Sequence, residues 1–361
     1  MTWPSWLPLR EALRPMSPYG APQVPAQASL NTNENPYSPS PALQKAITDA
    51  VAKVAADLNR YPDRDATVLR TKLADYINEL SSTGFSADNI WAANGSNEII
   101  QSIFLAFAQG PVLGFTPSYS MHPLIAKVTG AQWIDGKRNA DFSLNVADAV
   151  AEVQTHKPTL TFITTPNNPT GGAVTIAEIQ QLADACKVVG GLLVVDEAYA
   201  EFSQEKSAVT LIANNPHVIV IRTMSKAFAF AGARVGYLVS DVAVKDAMMI
   251  VRLPYHLSAL TQAAAQVAID HRAELLGGVA TLIAARESVV QALGDMGLTT
   301  IISSANFVLF TGFKQDAPQL WAALLEKGVL IRDVGLSGYL RVTIGNEAEN
   351  NLFLSALKEL I

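Results

Sequence analysis

Four short, mostly apolar runs, 111–115, 160–164, 192–195 and 218–221, set the limits on what this chain can fold into. They are near-continuous rather than alternating, and too short for buried helices, so they read as strands covered on both faces. Helical stretches separate them; one runs over 177–189 and is stopped by Gly190-Gly191. Strands alternating with helices make an α/β chain with a mostly parallel sheet. In such a sheet ligands bind beyond the carboxyl ends of the strands. Three runs end in polar clusters there: Asn167-Asn168, Asp196-Glu197-Ala198-Tyr199, and Ser225-Lys226.

The rest of the chain is organised around that sheet. Residues 1–40 carry Pro15, Pro18, Pro22, Pro25, Pro36 and Pro39, which predicts an extended arm over the body. Leu43, Ile47, Val51, Val54 and Leu58 recur at helical spacing, and a second helix covers about 66–80. Asn94-Gly95 turns into a helix over 99–107 that Ser96 or Asn97 can cap. Residues 235–239 read as an antiparallel return strand. Pro254-Tyr255-His256 then leads through a long alanine-rich helical stretch into a second unit. That unit has strands at 307–310, 329–331 and 339–343, and helices at about 318–326 and 347–360. The expected organisation is an arm, 1–40, packing on the small domain; a large domain, 41–255; and a small α+β domain, 256–361.

Composition removes several function classes. A chain of 361 residues, 49% hydrophobic and 16% charged, is globular. No apolar run approaches the roughly 20 residues of a membrane helix, so no membrane partner is expected. The first residues lack a basic region followed by an apolar core, so no secretory signal is expected. The single cysteine, Cys186, cannot form an internal disulfide, and a reducing cytoplasm is the expected setting. With a net charge of −6 and no dense basic run, nucleic acid is not an expected partner. No metal site is assigned.

Lys226 is the residue that local preference explains least, because an ammonium near a helix start faces the positive end of the dipole. A lysine that forms a Schiff base is placed for its chemistry instead. Ser225 beside it and Arg234 beyond it suit a phosphate, and the three together suggest pyridoxal phosphate. That cofactor needs an acid to keep its ring nitrogen protonated, and Asp196 follows a buried strand with no evident structural duty. An opposite charge about 4 Å away, at an effective dielectric near 20, is worth roughly 4 kcal/mol, or about three pKa units. Tyr199 and Asn168 are candidate partners of the ring hydroxyl. Gly95, Ser96 and Asn97 offer backbone N–H groups to a phosphate, and Tyr119 offers a stacking ring. Each of these also has a plainer reading, as a strand-end acid pair, a capped helix or a core aromatic.

The segments Pro166-Asn167-Asn168-Pro169-Thr170-Gly171, Asp196-Glu197-Ala198-Tyr199 and Ser225-Lys226-Ala227-Phe228 resemble those of the fold-type-I pyridoxal-phosphate aminotransferases. Asn31-Thr32-Asn33-Glu34-Asn35-Pro36, Arg60-Tyr61-Pro62-Asp63 and Leu340-Arg341-Val342-Thr343-Ile344-Gly345 narrow the resemblance to the histidinol-phosphate aminotransferase family, over nearly the whole chain. The resemblance implies a large, mostly parallel-sheet domain with a smaller α+β domain. It implies transamination between L-histidinol phosphate and 2-oxoglutarate, giving imidazole-acetol phosphate and glutamate, in histidine biosynthesis. The alternative on the same scaffold is an aromatic-amino-acid aminotransferase acting on phenylalanine. By the same resemblance Lys226 is the Schiff-base lysine and proton shuttle, and Asp196 the pyridinium partner. Asn168 and Tyr199 are the ring-hydroxyl ligands, and Tyr119 the stacking ring. Ser96, Asn97, Thr223, Ser225 and Arg234 are phosphate ligands. Tyr61 reaches the cofactor phosphate of the neighbouring subunit in a homodimer. One site must then accept both a phosphate and two carboxylates, which suits bidentate arginines. Arg341 and Arg332 are the candidates, with Tyr19 and Asn33 of the arm beside them. His256 departs from the resemblance, since members often carry asparagine there, and Asn97 stands where some carry aspartate.

Overall fold

The computed structural model describes residues 3–361. From the arm the chain runs β1 (Ala28–Ser29), α1 (Pro41–Ala55), α2 (Thr67–Ser81), β2 (Ile90–Ala93), α3 (Ser96–Phe107), β3 (Val112–Thr116), α4 (Met121–Thr129) and β4 (Trp133–Lys137). It continues through α5 (Val146–His156), β5 (Leu160–Thr164), α6 (Ile176–Val189), β6 (Leu192–Asp196), β7 (Val218–Thr223), β8 (Gly236–Val239), α7 (Val242–Val251) and α8 (Ala259–Asp270). It ends with α9 (Arg272–Asp295), β9 (Thr299–Thr300), β10 (Phe307–Thr311), α10 (Ala317–Glu326), β11 (Val329–Leu330), β12 (Leu340–Thr343) and α11 (Glu347–Leu360). Local signals place the boundaries. Ser40 caps α1 by accepting from the Leu43 N–H, with Pro41 in the first turn. Thr175 and Glu178 cap each other at the start of α6, and Gly190 closes that helix in the left-handed region. Helix α1 ends at Ala55, short of Leu58, and the alanine-rich stretch is two helices that part at His271. No helix among the described residues is long and apolar enough to cross a membrane.

A seven-stranded sheet in the order β2-β8-β7-β6-β5-β3-β4 forms the centre of the larger unit. Strand β8 runs antiparallel to both β2 and β7, while β7, β6, β5, β3 and β4 pair in parallel. Side chains alternate between the faces. On β7, Val218 and Val220 pack with α2, α6 and α8, whereas Ile219 and Ile221 pack with α3, α4 and α7. Strands β2 and β4 escaped the sequence reading for physical reasons. Half of β2 is alanine, and β4 is an edge strand carrying exposed Asp135 and Lys137.

A second core gathers β10, β12, α9, α10 and α11 with Ala28 and Leu30 of the arm, and β1 pairs in parallel with β11. The change of core falls inside α9, between Leu275 and Val279. That lies beyond the 255/256 division read from the sequence, because α8 folds back onto α1 and α2.

Phe162 lies on the α3/α4 face, 1% exposed, stacked on Phe104 with ring centroids 5.2 Å apart. Phe162→Ala is expected to reduce unfolding free energy by about 3–5 kcal/mol, seen as a lower denaturant midpoint at unchanged slope. A loss below about 1 kcal/mol would mean that this layer collapses onto the gap.

Candidate active site

The carboxyl ends of β3, β5, β6 and β7 open into a cavity of about 540 Å³, closed on its far side by the arm and by β12. Its wall includes Ser96, Asn97, Tyr119, Asn168, Asp196, Tyr199, Thr223, Ser225, Lys226 and Arg234 from the larger unit. Tyr19 and Asn33 of the arm, and Arg332 and Arg341 of the smaller unit, complete it. Of the residues singled out from sequence, Gly95 and Tyr61 lie off the wall. Gly95 sits behind Arg234. Tyr61 is 80% exposed and stacks on Tyr255, with centroids 4.4 Å apart.

Lys226 follows the last residue of β7 by three positions, in an irregular turn rather than a helix. Its Nζ donates to the Thr32 carbonyl of the arm at 2.8 Å. Burial lowers its pKa from 10.5 to about 8, with Arg341 and Arg234 pushing the same way and Glu34 opposing. Asp196 ends β6 and is 2% exposed. Its Oδ1 accepts from the Ala198 N–H at 3.2 Å, and its Oδ2 lies 3.1 Å from Nε2 of buried His122. Sequence reasoning missed His122, because one histidine at an apolar helix start reads as core. Beneath, Arg222 bridges two buried carboxylates, Glu197 at 2.9 Å and Glu201 at 2.9 Å, which ties the Asp196–Tyr199 turn to β7.

One end of the cavity is a cradle for an anion. Gly95, at φ 84°, is the N-cap of α3, and no side chain caps the helix, contrary to the expectation for Ser96 or Asn97. The first N–H groups of a helix have no partners within it. The Asn97 side chain instead accepts from the Tyr119 hydroxyl at 3.1 Å. A Cβ on Gly95 would stand 2.5 Å from Arg234 Nη2, and one on Gly236 would stand 2.5 Å from the Ser96 nitrogen. Glycine at both positions is what lets the guanidinium and the turn come together. Ser225 Oγ lies 3.4 Å from Arg234 Nη1 and accepts from Thr223 Oγ1 at 3.0 Å.

Arg341 forms a second cationic point. Nη1 donates to Asn168 Oδ1 at 2.5 Å and Nη2 to the Asn31 carbonyl at 2.8 Å, while buried Nε has no partner. Those hydrogen-bond acceptors are neutral, and burial lowers the Arg341 pKa to about 10. Arg332 faces it across a two-way backbone bridge, at 3.0 and 2.9 Å. The Asn33 amide, expected to serve the substrate, is engaged by Tyr199 and Thr343. Burial pushes the Tyr199 phenol up to about 12.

The model of the aminotransferase class I and II family matches residues 25–357. The chain belongs to that family. This aminotransferase is 54% identical over 355 residues to a histidinol-phosphate aminotransferase of Mycolicibacterium vanbaalenii, covering 97% of this chain and 95% of the relative. It is 53% identical over 354 residues to one of Mycobacterium marinum, covering 97% and 91%. It superposes with a TM-score of 0.81, at 25% identity, on the histidinol-phosphate aminotransferase of Sinorhizobium meliloti in complex with pyridoxal-5'-phosphate, over 93% of this chain and 91% of that one. The fold-type-I architecture, a large α/β unit with a mostly parallel sheet, is that of the family.

Between pH 8 and 10.5 the unfolded aminotransferase holds a proton on Lys226 that the folded chain does not, so this residue makes stability rise with pH. In the cofactor-free protein, Lys226→Met should be more stable than the parent, by most at and below about pH 8, and the gap should close towards pH 10.5. Denaturant unfolding of both proteins across that window measures it; a constant gap would mean an ordinary lysine.

Proposed function

We propose that this aminotransferase transfers the amino group of L-histidinol phosphate to 2-oxoglutarate, giving imidazole-acetol phosphate and glutamate in histidine biosynthesis, with pyridoxal phosphate as cofactor. The observation that carries the reading is one cavity with two separate arginines on its wall, Arg234 and Arg341, and a half-buried amine, Lys226, that feels both. Relatives of that name at 52–54% identity over nearly the whole chain support it.

The donor set suits pyridoxal phosphate. Bound there, the cofactor supplies the electron sink that acidifies the substrate C–H bond. The cradle of the Ser96 and Asn97 N–H groups, the Thr223 and Ser225 hydroxyls and Arg234, with Gly95 leaving room, holds its phosphate. Asp196, oriented by His122 and the Ala198 N–H, keeps a proton on the ring nitrogen. Tyr199 and Asn168 donate to the ring hydroxyl oxygen, and Tyr119 covers the ring face. The Lys226 amine would take the proton from the substrate carbon that bears the amino group and deliver it to the aldehyde-derived carbon of the cofactor. A pKa of about 8 leaves an appreciable neutral fraction near neutrality, which an ordinary lysine lacks. Arg341 and Arg332 take the substrate's phosphate, or the distal carboxylate of glutamate, with Tyr19 of the arm closing that end.

The working form in this proposal is a homodimer, in which Tyr61 reaches the cofactor phosphate of the neighbouring subunit. Tyr61 and Tyr255 form an exposed stack, and Ile250 and Leu253 nearby in sequence are 84% and 72% exposed. An apolar patch of that kind fits a second copy of the chain. A cytoplasmic setting suits the one thiol, Cys186, which is free and buried.

Single-turnover mixing of the loaded enzyme with histidinol phosphate should bleach the bound-cofactor absorbance fast, and with phenylalanine slowly. The opposite order would make phenylalanine the substrate. Lys226→Ala should lose turnover altogether, and retained transamination would remove Lys226 from its role. Arg341→Ala should lower kcat/KM at least about 30-fold in both half-reactions, the loss of a charge-assisted contact worth about 2 kcal/mol. Unchanged values with either substrate would take Arg341 out of the site.

A further inference from the structure

We propose that Asn33 is a positioning residue for Tyr199: its side-chain amide fixes the direction in which the Tyr199 hydroxyl proton points. Asn33 is 1% exposed and each of its polar atoms has a partner. Its backbone N–H donates to Thr343 Oγ1 at 3.0 Å, and its backbone carbonyl accepts from Asn306 Nδ2 at 3.2 Å. Oδ1 accepts from Thr343 Oγ1 at 3.0 Å, and Nδ2 donates to the Tyr199 hydroxyl oxygen at 2.9 Å.

Thr343 decides which way the amide faces. Its hydroxyl accepts from the Asn33 backbone N–H, and its single proton goes to the acceptor atom of the side chain, Oδ1. That turns Nδ2 towards Tyr199. A phenol oxygen that accepts from Nδ2 keeps its own proton for a different acceptor. Tyr199 lines the cavity beside Lys226, whose Nζ is 6.0 Å from its ring centroid, so the proton is presented to the cavity. Burial keeps the phenol protonated through the physiological range. The backbone makes a second demand on the same residue. Asn33 sits at φ 56°, a region that asparagine and glycine tolerate and that most side chains do not. Asparagine satisfies both. The arm thus connects Tyr199, which follows β6 of the large sheet, to Thr343 on β12 of the smaller unit.

The inference rests on the reading of Tyr199 as a donor to the cofactor's ring oxygen, and the experiment separates the two. The measured quantity is the pH midpoint of the bound cofactor's visible absorbance in the holoenzyme. A hydrogen bond donated to the ring oxygen spreads its negative charge and weakens its hold on the proton that titrates beside it, so losing the donor raises the midpoint. Tyr199→Phe is expected to raise it by about one pH unit or more; no shift would overturn the reading of Tyr199 and the inference with it. Asn33→Asp replaces the donor by an acceptor of the same shape and draws the Tyr199 proton away from the cavity. It is expected to raise the midpoint comparably in the parent and to add nothing in a Tyr199→Phe background. If Asn33→Asp fails to load cofactor, Asn33→Gly keeps the backbone geometry and removes the amide; its upward shift should be smaller and should again need Tyr199. A midpoint unmoved by the Asn33 change, or moved equally with and without Tyr199, while Tyr199→Phe shifts it, would overturn the inference.

Discussion

A primary amine enclosed by protein and left with a backbone carbonyl as its hydrogen-bond partner is the constraint on which the rest of this molecule depends. Lys226 gives up its hydration for the Thr32 carbonyl at 2.8 Å, and two arginines add repulsion. Burying a charge in that way is unfavourable, so the amine sheds its proton more easily than in water. Both units and the arm contribute to this enclosure. The floor is the edge of the parallel sheet and the far wall is β12, with the arm threaded between them. The reactivity of the lysine and the two-core architecture are therefore one fact.

The same logic explains where carboxylates are placed. Asp196 has a buried histidine beside it, and Glu197 and Glu201 are taken by Arg222 at 2.9 Å each, on the side of the turn away from the cavity. Glu34, exposed at the cavity, is a carboxylate that does push the Lys226 pKa up, and burial outweighs it. Arg341 is instead held by an amide oxygen and a carbonyl, so its positive charge is left for an incoming anion. Breaking any one of these buried pairs would strand a charge rather than merely delete a contact.

Much of this was legible in the sequence, for specific reasons. Lys226, Asp196 and Asn168 each stand just past a continuous apolar run, and a parallel sheet brings the ends of its strands to one edge. Once the runs were recognised, the convergence followed. What was hidden depended on partners remote in sequence or on weak local signal. His122 acts through Asp196, 74 residues on, and nothing adjacent marks it. Asn33 bonds Thr343 across 310 residues, so its environment could not be read locally. Strand β2 was obscured by its alanines, and α8 by an alanine-rich pattern continuous with α9. At α3 the local rule favoured a side-chain cap, and the fold left the helix start open with Gly95 in that place.

The arm and β12 carry a consequence for how such a chain can change over generations. The Thr343 N–H donates to the Leu30 carbonyl, and just past Leu30 on the arm Asn31 meets Arg341 and Asn33 meets Thr343. Both pairs are two residues apart in each segment: Arg341 and Thr343 share one face of β12, and the arm, bending at Asn31 and Thr32 with Asn33 at φ 56°, follows a path that meets both. Substitutions can be tried there one at a time. A one-residue insertion or deletion in either segment would turn both anchors away together. The length of these two stretches is thus constrained as tightly as the identity of Asn33, and variation in length within relatives should be confined to the loops around them.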